Sequence, residues 1–259
     1  MYQDERLLFI LDFLTKHRRI TVDQICSFYD VSRDTARRDL VKLEEQKKII
    51  RTRGGALLPA AHNEVKGYQT RLQTASTEKK QIGQKAASLI QHDDRIILDS
   101  STTVQACAEL MEDEPCTVIT NSIYQADILS SKNKIRIQLL GGELEKDHRF
   151  LYGESVIERL SHYHVDKLFL GVVGISENGL TIAHEEDGMV KRKMIKQAKQ
   201  VIVLADYTKL GVTDFYRFAS LEDIDLLITD QTPPKKFRNL LNKHSVDLLI
   251  ANDDIEEDD

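Results

Sequence analysis

Apolar side chains recur at spacings of three and four near the start of the chain, at Leu7, Leu8, Leu11 and Leu14, with Phe9, Ile10 and Phe13 thickening the same side. That period predicts a helix over residues 3–16. Thr21-Val22-Asp23-Gln24 has the form of a capping box, so a second helix starts there and runs to about Tyr29. Asp30-Val31 leaves only a short turn before Ser32 caps a third helix that extends to about Gln46. On this helix Ala36, Leu40 and Leu43 share one face and point inward. Residues 49–57, with Gly54-Gly55 at their centre, predict a short hairpin. Three helices with one short break, followed by a hairpin, describe a winged helix-turn-helix.

The period changes after a polar stretch at residues 59–75, which contains Pro59 and reads as a linker. Strand-like runs occupy 95–99, 116–120, 134–140, 166–173, 200–205, 224–229 and 246–251. Helical runs lie among them, first around Ile82, Ala86, Leu89 and Ile90, then at 102–111, 123–131, 154–161, 186–198 and 233–243. Strands alternating with helices predict an α/β domain with a mainly parallel sheet covered on both faces. The expected organisation is a small winged helix-turn-helix at 1–58, a linker at 59–75, an α/β domain at 76–252 and an acidic tail at 253–259.

Charge divides along the same boundary. The whole chain of 259 residues carries a net charge of −6. Residues 1–59 hold 12 Lys and Arg against 9 Asp and Glu, and the remaining residues hold 24 against 33. A basic module on an acidic body points to nucleic acid for the first part only. The longest apolar run, residues 168–175, is far short of the roughly 20 residues a membrane span needs. No membrane association is expected. The start Met1-Tyr2-Gln3-Asp4-Glu5 is acidic where a secretion signal is basic. Cys26, Cys107 and Cys116 have neither disulfide nor zinc spacing. A reducing cytoplasm is the expected location, and no cofactor or metal is expected. His162-Tyr163-His164 lacks a third ligand nearby.

Candidate chemistry sits in two places. On the third helix and hairpin, the DNA-contact candidates are Ser32, Arg33, Thr35, Arg37, Arg38, Arg51 and Arg53. An arginine fork can hold a phosphate or the O6/N7 edge of guanine with two parallel hydrogen bonds. The plainer alternative is a solvated face carrying an Asp34–Arg38 pair. In the second domain, Asp99-Ser100-Ser101-Thr102-Thr103 follows a strand and opens a helix, which offers hydroxyls and free amides to an anion. Small polar groups also end other strands: Thr120-Asn121-Ser122, Gly141-Gly142 and Asp206-Tyr207-Thr208-Lys209. Open α/β sheets bind ligands outside the carboxyl ends of their strands. Such loops favour a phosphorylated small molecule.

Val31-Ser32-x-x-Thr35-x-Arg37-Arg38-Asp39-Leu40-x-x-Leu43-Glu44, with Arg51-x-x-Gly54-Gly55-Ala56 after it, resembles the N-terminal signature of DeoR-type bacterial repressors. The resemblance continues through Asp99–Thr103, Thr120-Asn121, Gly141-Gly142, Gly153, Asp166-x-x-Phe169-x-Gly171, Gly179-Leu180-Thr181, Lys191-x-x-Met194 and Asp206-x-x-Lys209. It implies a sensor domain related to ribose-5-phosphate isomerase, with a sugar phosphate as effector. The effector residues it implies are Asp99, Ser100, Ser101, Thr102, Thr103, Thr120, Asn121, Gly141, Gly142, Gly171, Lys191, Asp206 and Lys209. The phosphate is expected at Asp99–Thr103 with Lys191 and Lys209 nearby, and Asp99 holds sugar hydroxyls or fixes the loop. Ser101 stands where the family usually has Gly.

Two functions compete: a sugar-phosphate-responsive repressor of carbohydrate genes, and a sugar-phosphate isomerase-like enzyme with an appended DNA module. The isomerases carry acids flanking the glycine of a motif resembling Leu170-Gly171-Val172-Val173. Here Leu170 and Val173 stand in those positions, so binding without turnover is favoured and no catalytic residue is assigned. A structural or chaperone-like role leaves the strand-end loops unexplained. Double-stranded operator DNA, a sugar-phosphate effector and further copies of the chain, as a dimer or tetramer, are the expected partners.

Overall fold

A computed structural model describes residues 3–17, 19–46, 48–52, 54–57, 68–74 and 76–252. The acidic tail at 253–259 and most of the stretch expected as linker lie outside these residues. The chain divides into two units, Met1–Glu64 and Val65–Asp259.

In the first unit, helices α1 (Gln3–His17), α2 (Val22–Tyr29) and α3 (Arg33–Glu45) follow the expected pattern. Thr21 and Gln24 form the expected capping box. The turn into α3 uses Asp30 in a left-handed conformation, with φ of 50°. Aspartate tolerates that conformation better than most residues with a Cβ. The hairpin forms as β2 (Ile50–Thr52) and β3 (Gly55–Leu57), but a strand the period did not reveal joins it. This is β1 (Arg19–Thr21), and the sheet order is β1-β3-β2. Gly55 makes the close approach possible, since a Cβ there would lie 2.1 Å from the Ile20 carbonyl oxygen. Leu7, Ile10, Leu14, Ile20, Ile25, Ala36, Leu40, Leu43 and Ile49 form the core.

The second unit opens with α4 (Tyr68–Gln73) and α5 (Ser76–Ala87). Helix α4 falls within the segment expected as linker. Its aromatic anchor decides the matter: Tyr68 is 1% exposed and stacks on Tyr124 with ring centroids 4.5 Å apart. Then follow β4 (Arg95–Leu98), α6 (Thr102–Leu110), β5 (Cys116–Thr120), α7 (Ile123–Ser130) and β6 (Ile135–Leu139). A hairpin, β7 (Glu143–Glu145) with β8 (Phe150–Tyr152), leads to α8 (Glu154–Leu160) and β9 (Val165–Gly171). Next come β10 (Gly174–Ser176), β11 (Gly179–Ile182), α9 (Glu185–Ile195) and β12 (Ala198–Leu204). The unit ends with β13 (Tyr216–Ala219), β14 (Leu226–Thr229), α10 (Lys235–Lys243) and β15 (Asp247–Ile250).

Seven of these strands form one parallel sheet in the order β15-β14-β12-β9-β4-β5-β6. They are the seven expected from the sequence. Alternate side chains feed two cores: Leu168 and Leu170 of β9 enter one, and Phe169 enters the other. Each fully buried side chain of this size contributes about 1.5–3 kcal/mol. Helix α9 ends at Ile195, earlier than the expected 198, because the chain turns into β12 at Ala198. Strand order reverses between β4 and β9, since the chain builds outward from β4 to β6 and then from β9 to β15 on the other side. That reversal opens a crevice at the carboxyl ends of β4 and β9.

Candidate functional site

Helix α3 presents two opposed faces. Ala36, Leu40 and Leu43 are buried, whereas Arg33, Arg37 and Arg38 are exposed. Ser32 caps the helix by accepting from the Thr35 amide at 3.1 Å, and its hydroxyl meets that of Thr35 at 3.0 Å. Arg33 reaches Asp23 of α2 at 2.6 Å, and Arg37 lies 4.0 Å from Asp34. The surface pair thus joins Asp34 to Arg37, not to Arg38, which leaves Arg38 clear of that carboxylate. Exposed pairs of this kind are worth little and break readily for a better acceptor. Arg51 of β2 lies 3.4 Å from Glu44. Arg53 lies outside the described residues.

Asp39 behaves differently. It is fully buried and takes Arg6 of α1 at 2.5 Å, with the Gln3 amide donating to it at 3.0 Å. The Arg6 pKa is raised by the hydrogen bond to Asp39, against the effect of burial. This pair clamps α3 onto α1, and the arginines beside Asp39 are thereby aimed outward.

In the second unit the crevice at the strand reversal is lined by Arg71, Ser100, Ser101, Gly171, Asp187 and Lys191, among others, and opens to solvent. Asp99 builds its floor. One carboxylate oxygen accepts from the Ser101 amide at 2.8 Å, and the other accepts from the Gly171 amide at 2.8 Å. Lys191 donates to Asp99, donates to the Gly171 carbonyl at 3.2 Å, and lies 3.9 Å from Asp187. Lys191 is 2% exposed and Asp99 is 1% exposed. Burial works against the Lys191 charge, yet Asp187 and Asp99 outweigh it and its pKa is raised. Burial raises the Asp187 pKa, with Lys191 opposing.

Ser101 turns its hydroxyl inward and caps α6 by accepting from the Val104 amide at 3.2 Å. A Cβ on Gly171 would lie 2.1 Å from that hydroxyl, so strand end and loop meet only because position 171 has no side chain. Thr102 and Thr103 are buried in the first turn of α6, where amides have no intrahelical acceptor. Ser100 and Ser101, just before that turn, line the cleft with Arg71 and Lys191, whereas Thr102 and Thr103 do not; hydroxyls, amides and cationic side chains are the groups an oxyanion needs.

The remaining candidates sit along the same sheet edge without lining this cleft. Thr120 accepts from the Ser122 amide at 3.0 Å, and Asn121 donates to the Leu151 carbonyl at 3.0 Å. Gly142 has φ of +150° and packs against β8, where a Cβ would lie 2.5 Å from the Tyr152 carbonyl oxygen; Gly141 is open around its Cα. Asp206 caps the turn at Tyr207–Lys209 by accepting from the Thr208 amide at 3.0 Å. Among the described residues, the Lys209 ammonium has no carboxylate partner. Burial pushes the thiols of Cys107 and Cys116 up to about 12 and about 11, so neither is a ready nucleophile. No helix among the described residues is long and apolar enough to cross a membrane.

Two families account for this arrangement. Residues 74–231 match the DeoR C terminal sensor domain, and residues 6–61 match the DeoR-like helix-turn-helix domain. The chain belongs to the DeoR family. Its relatives include the HTH-type transcriptional repressor GlcR of Bacillus subtilis (strain 168), 65% identical over 98% of each chain. The Glycerol-3-phosphate regulon repressor of Escherichia coli (strain K12) is 29% identical over 97% of this chain and all of that one. Among solved structures, ribose 5-phosphate isomerase A of Methanocaldococcus jannaschii matches with a TM-score of 0.40 and 16% identity, over 53% of this chain and 55% of that one. This DeoR-family chain is a DNA-binding transcriptional regulator and not an enzyme.

Four polar residues that line the cleft were not marked by the sequence: Arg71, His148, His184 and Asp187. Burial lowers the His148 pKa, and Arg71 and His184 lower it further. The one local signal was Tyr68-x-x-Arg71, an aromatic and a cation one helical turn apart in a stretch otherwise read as linker.

Proposed function

We propose that this protein is a repressor of carbohydrate-uptake or catabolism genes whose operator affinity is set by a phosphorylated sugar in the strand-end cleft. The carrying observation is the cleft itself: the start of α6, the Asp99-fixed loop and Gly171 meet beside cationic side chains at the point of strand reversal. Asp99 fixes the loop and Lys191 holds Asp99, so both position the site. Ser100, Ser101, Thr102 and Thr103 offer the hydroxyls and amides that face an anion. Thr120, Asn121, Gly141, Gly142, Asp206 and Lys209 shape the same sheet edge.

The regulator acts in the cytoplasm as a dimer or tetramer on double-stranded operator DNA. Two copies of α3 enter successive major grooves, with Ser32, Thr35 and the α3 arginines on DNA, joined by Arg51 and Arg53. Effector acts by linkage: a coupling of about 1–3 kcal/mol between the two sites lowers operator affinity by the same factor that operator lowers effector affinity. Thermal unfolding of the full chain against phosphorylated sugars and their unphosphorylated counterparts tests this. A phosphate ester should raise the melting temperature and release operator DNA, and the parent sugar should do neither. Equal responses to both would overturn the phosphate requirement.

A further inference from the structure

Of the cations lining the cleft, Lys191 is already committed: Asp99 is in contact with it and Asp187 lies 3.9 Å away. Arg71 is not. Among the described residues it has no carboxylate partner, and its Nε is buried with no hydrogen-bond partner. The polar side chain it approaches is His148, with a terminal nitrogen 3.5 Å from Nδ1. Its guanidinium also lies over the Tyr68 ring, 5.5 Å from the centroid. A donor left unmet away from water costs free energy, and an incoming acceptor recovers it. Burial pulls the Arg71 pKa down, with Asp187, Tyr68 and Asp99 opposing.

The surroundings hold Arg71 in place. Tyr68, one turn earlier, stacks on Tyr124 with rings 12° apart and donates to Gln105. Lys79 of α5 donates to the Arg71 carbonyl, and to the Thr74 carbonyl at 2.7 Å. The helix is tethered at both ends, so the guanidinium is preorganised at the cleft.

We propose that Arg71 takes the phosphate of the effector, gripping it as a fork opposite the first-turn amides and hydroxyls of α6. This rests on the reading of the cleft as the effector site. Arginine suits the task because its planar donors match two oxygens of a phosphate at once. Arg71 also has a particular place in the chain: the first unit ends at Glu64 and α4 begins at Tyr68.

Calorimetric titration of the full chain tests the proposal, using inorganic phosphate, ribose 5-phosphate, glucose 6-phosphate and glycerol 3-phosphate as probes, with glucose and gluconate as controls. At least one phosphate ester should bind wild type. For that ester Arg71→Gln should raise Kd by about 30-fold or more, and Arg71→Lys, which keeps charge but loses the fork, by about 5- to 10-fold. Both variants should bind operator as wild type does when no probe is present, and should need correspondingly more ester to release it. If Arg71→Gln binds the ester within twofold of wild type, the Arg71 assignment is overturned, while the cleft reading stands provided Thr102→Val weakens binding. If no ester binds wild type, the effector reading falls and this one with it. Gluconate binding as tightly as the esters, and equally dependent on Arg71, overturns phosphate in favour of a carboxylate. Should Arg71→Gln not fold, Arg71→Lys decides, because an unchanged Kd for it overturns the fork.

Discussion

The arginines of α3 and the charges at the sensor cleft are the same chemistry in opposite surroundings. Arg33, Arg37 and Arg38 stand in solvent, and the acids near them are exposed as well. Lys191, Asp99 and Asp187 are buried and satisfy one another. Exposed charges remain available to a partner; buried ones are consumed in holding the fold. The same division runs inside the first unit, where buried Asp39 belongs to Arg6 and its neighbours Arg37 and Arg38 do not. Matching a family landmark therefore says that a residue matters without saying whether it touches a ligand.

The largest effects should come from cutting the buried pairs. Asp99→Ala leaves the buried Lys191 ammonium with the Gly171 carbonyl and a single carboxylate, Asp187, 3.9 Å away, and the sensor should lose about 3–5 kcal/mol of stability by urea unfolding. Asp39→Ala should cost the first unit a similar amount, since the buried ion pair between Arg6 and Asp39 is broken. Replacing both partners, Arg6→Met with Asp39→Leu, should recover most of that loss. If it does not, the pair contributes more than charge compensation.

Next comes the exposed face. Arg37→Ala should leave unfolding unchanged and weaken operator binding by about 1–3 kcal/mol, measured by fluorescence anisotropy, if Arg37 holds a base bidentately. Binding by wild type should also fall steeply with salt, because phosphate contacts release counterions. Equal operator affinity of variant and wild type would remove Arg37 from the interface.

A smaller effect concerns pH. Burial, then Arg71 and His184, disfavour the charged form of His148, so its folded pKa lies below the ordinary 6.5. Its contribution to stability is present above 6.5 and is lost as pH falls through the folded value. Thermal melts of the sensor should fall with pH across that window, and His148→Gln should flatten part of the slope. An unchanged slope would assign the dependence to other groups. Smallest of all, Arg33→Ala removes an exposed pair with Asp23 and should change stability by less than about 0.5 kcal/mol. A larger loss would mean that the pair orients α3.

Local pattern made much of this architecture legible. The three helices of the first unit, the hairpin and all seven strands of the large sheet follow from apolar period, caps and turns, because each is long or strongly patterned. The strands that escaped, β1, β7, β8, β10, β11 and β13, have three or four residues each. These runs carry no local pattern that marks a strand; backbone pairing with a neighbouring strand makes each of them one. Helix α4 escaped for a related reason, since Tyr68 is buried by Tyr124 and Gln105, far along the chain.

By itself, the sequence determined what depends on neighbours along the chain: the capped recognition helix, its outward arginines, the alternation that builds the sheet, and the small polar loops at the strand ends. Tertiary structure alone decided which charges are free. Lys191 and Asp99 stand 92 positions apart, and Asp39 and Arg6 stand 33 apart. Whether a cation is neutralised depends on a carboxylate within a few ångströms and on the exclusion of water, and both are set by how the strands and helices pack. Arg71 is the clearest case: in the sequence it is one basic residue in a polar stretch, and the fold places it in the cleft without a carboxylate partner among the described residues.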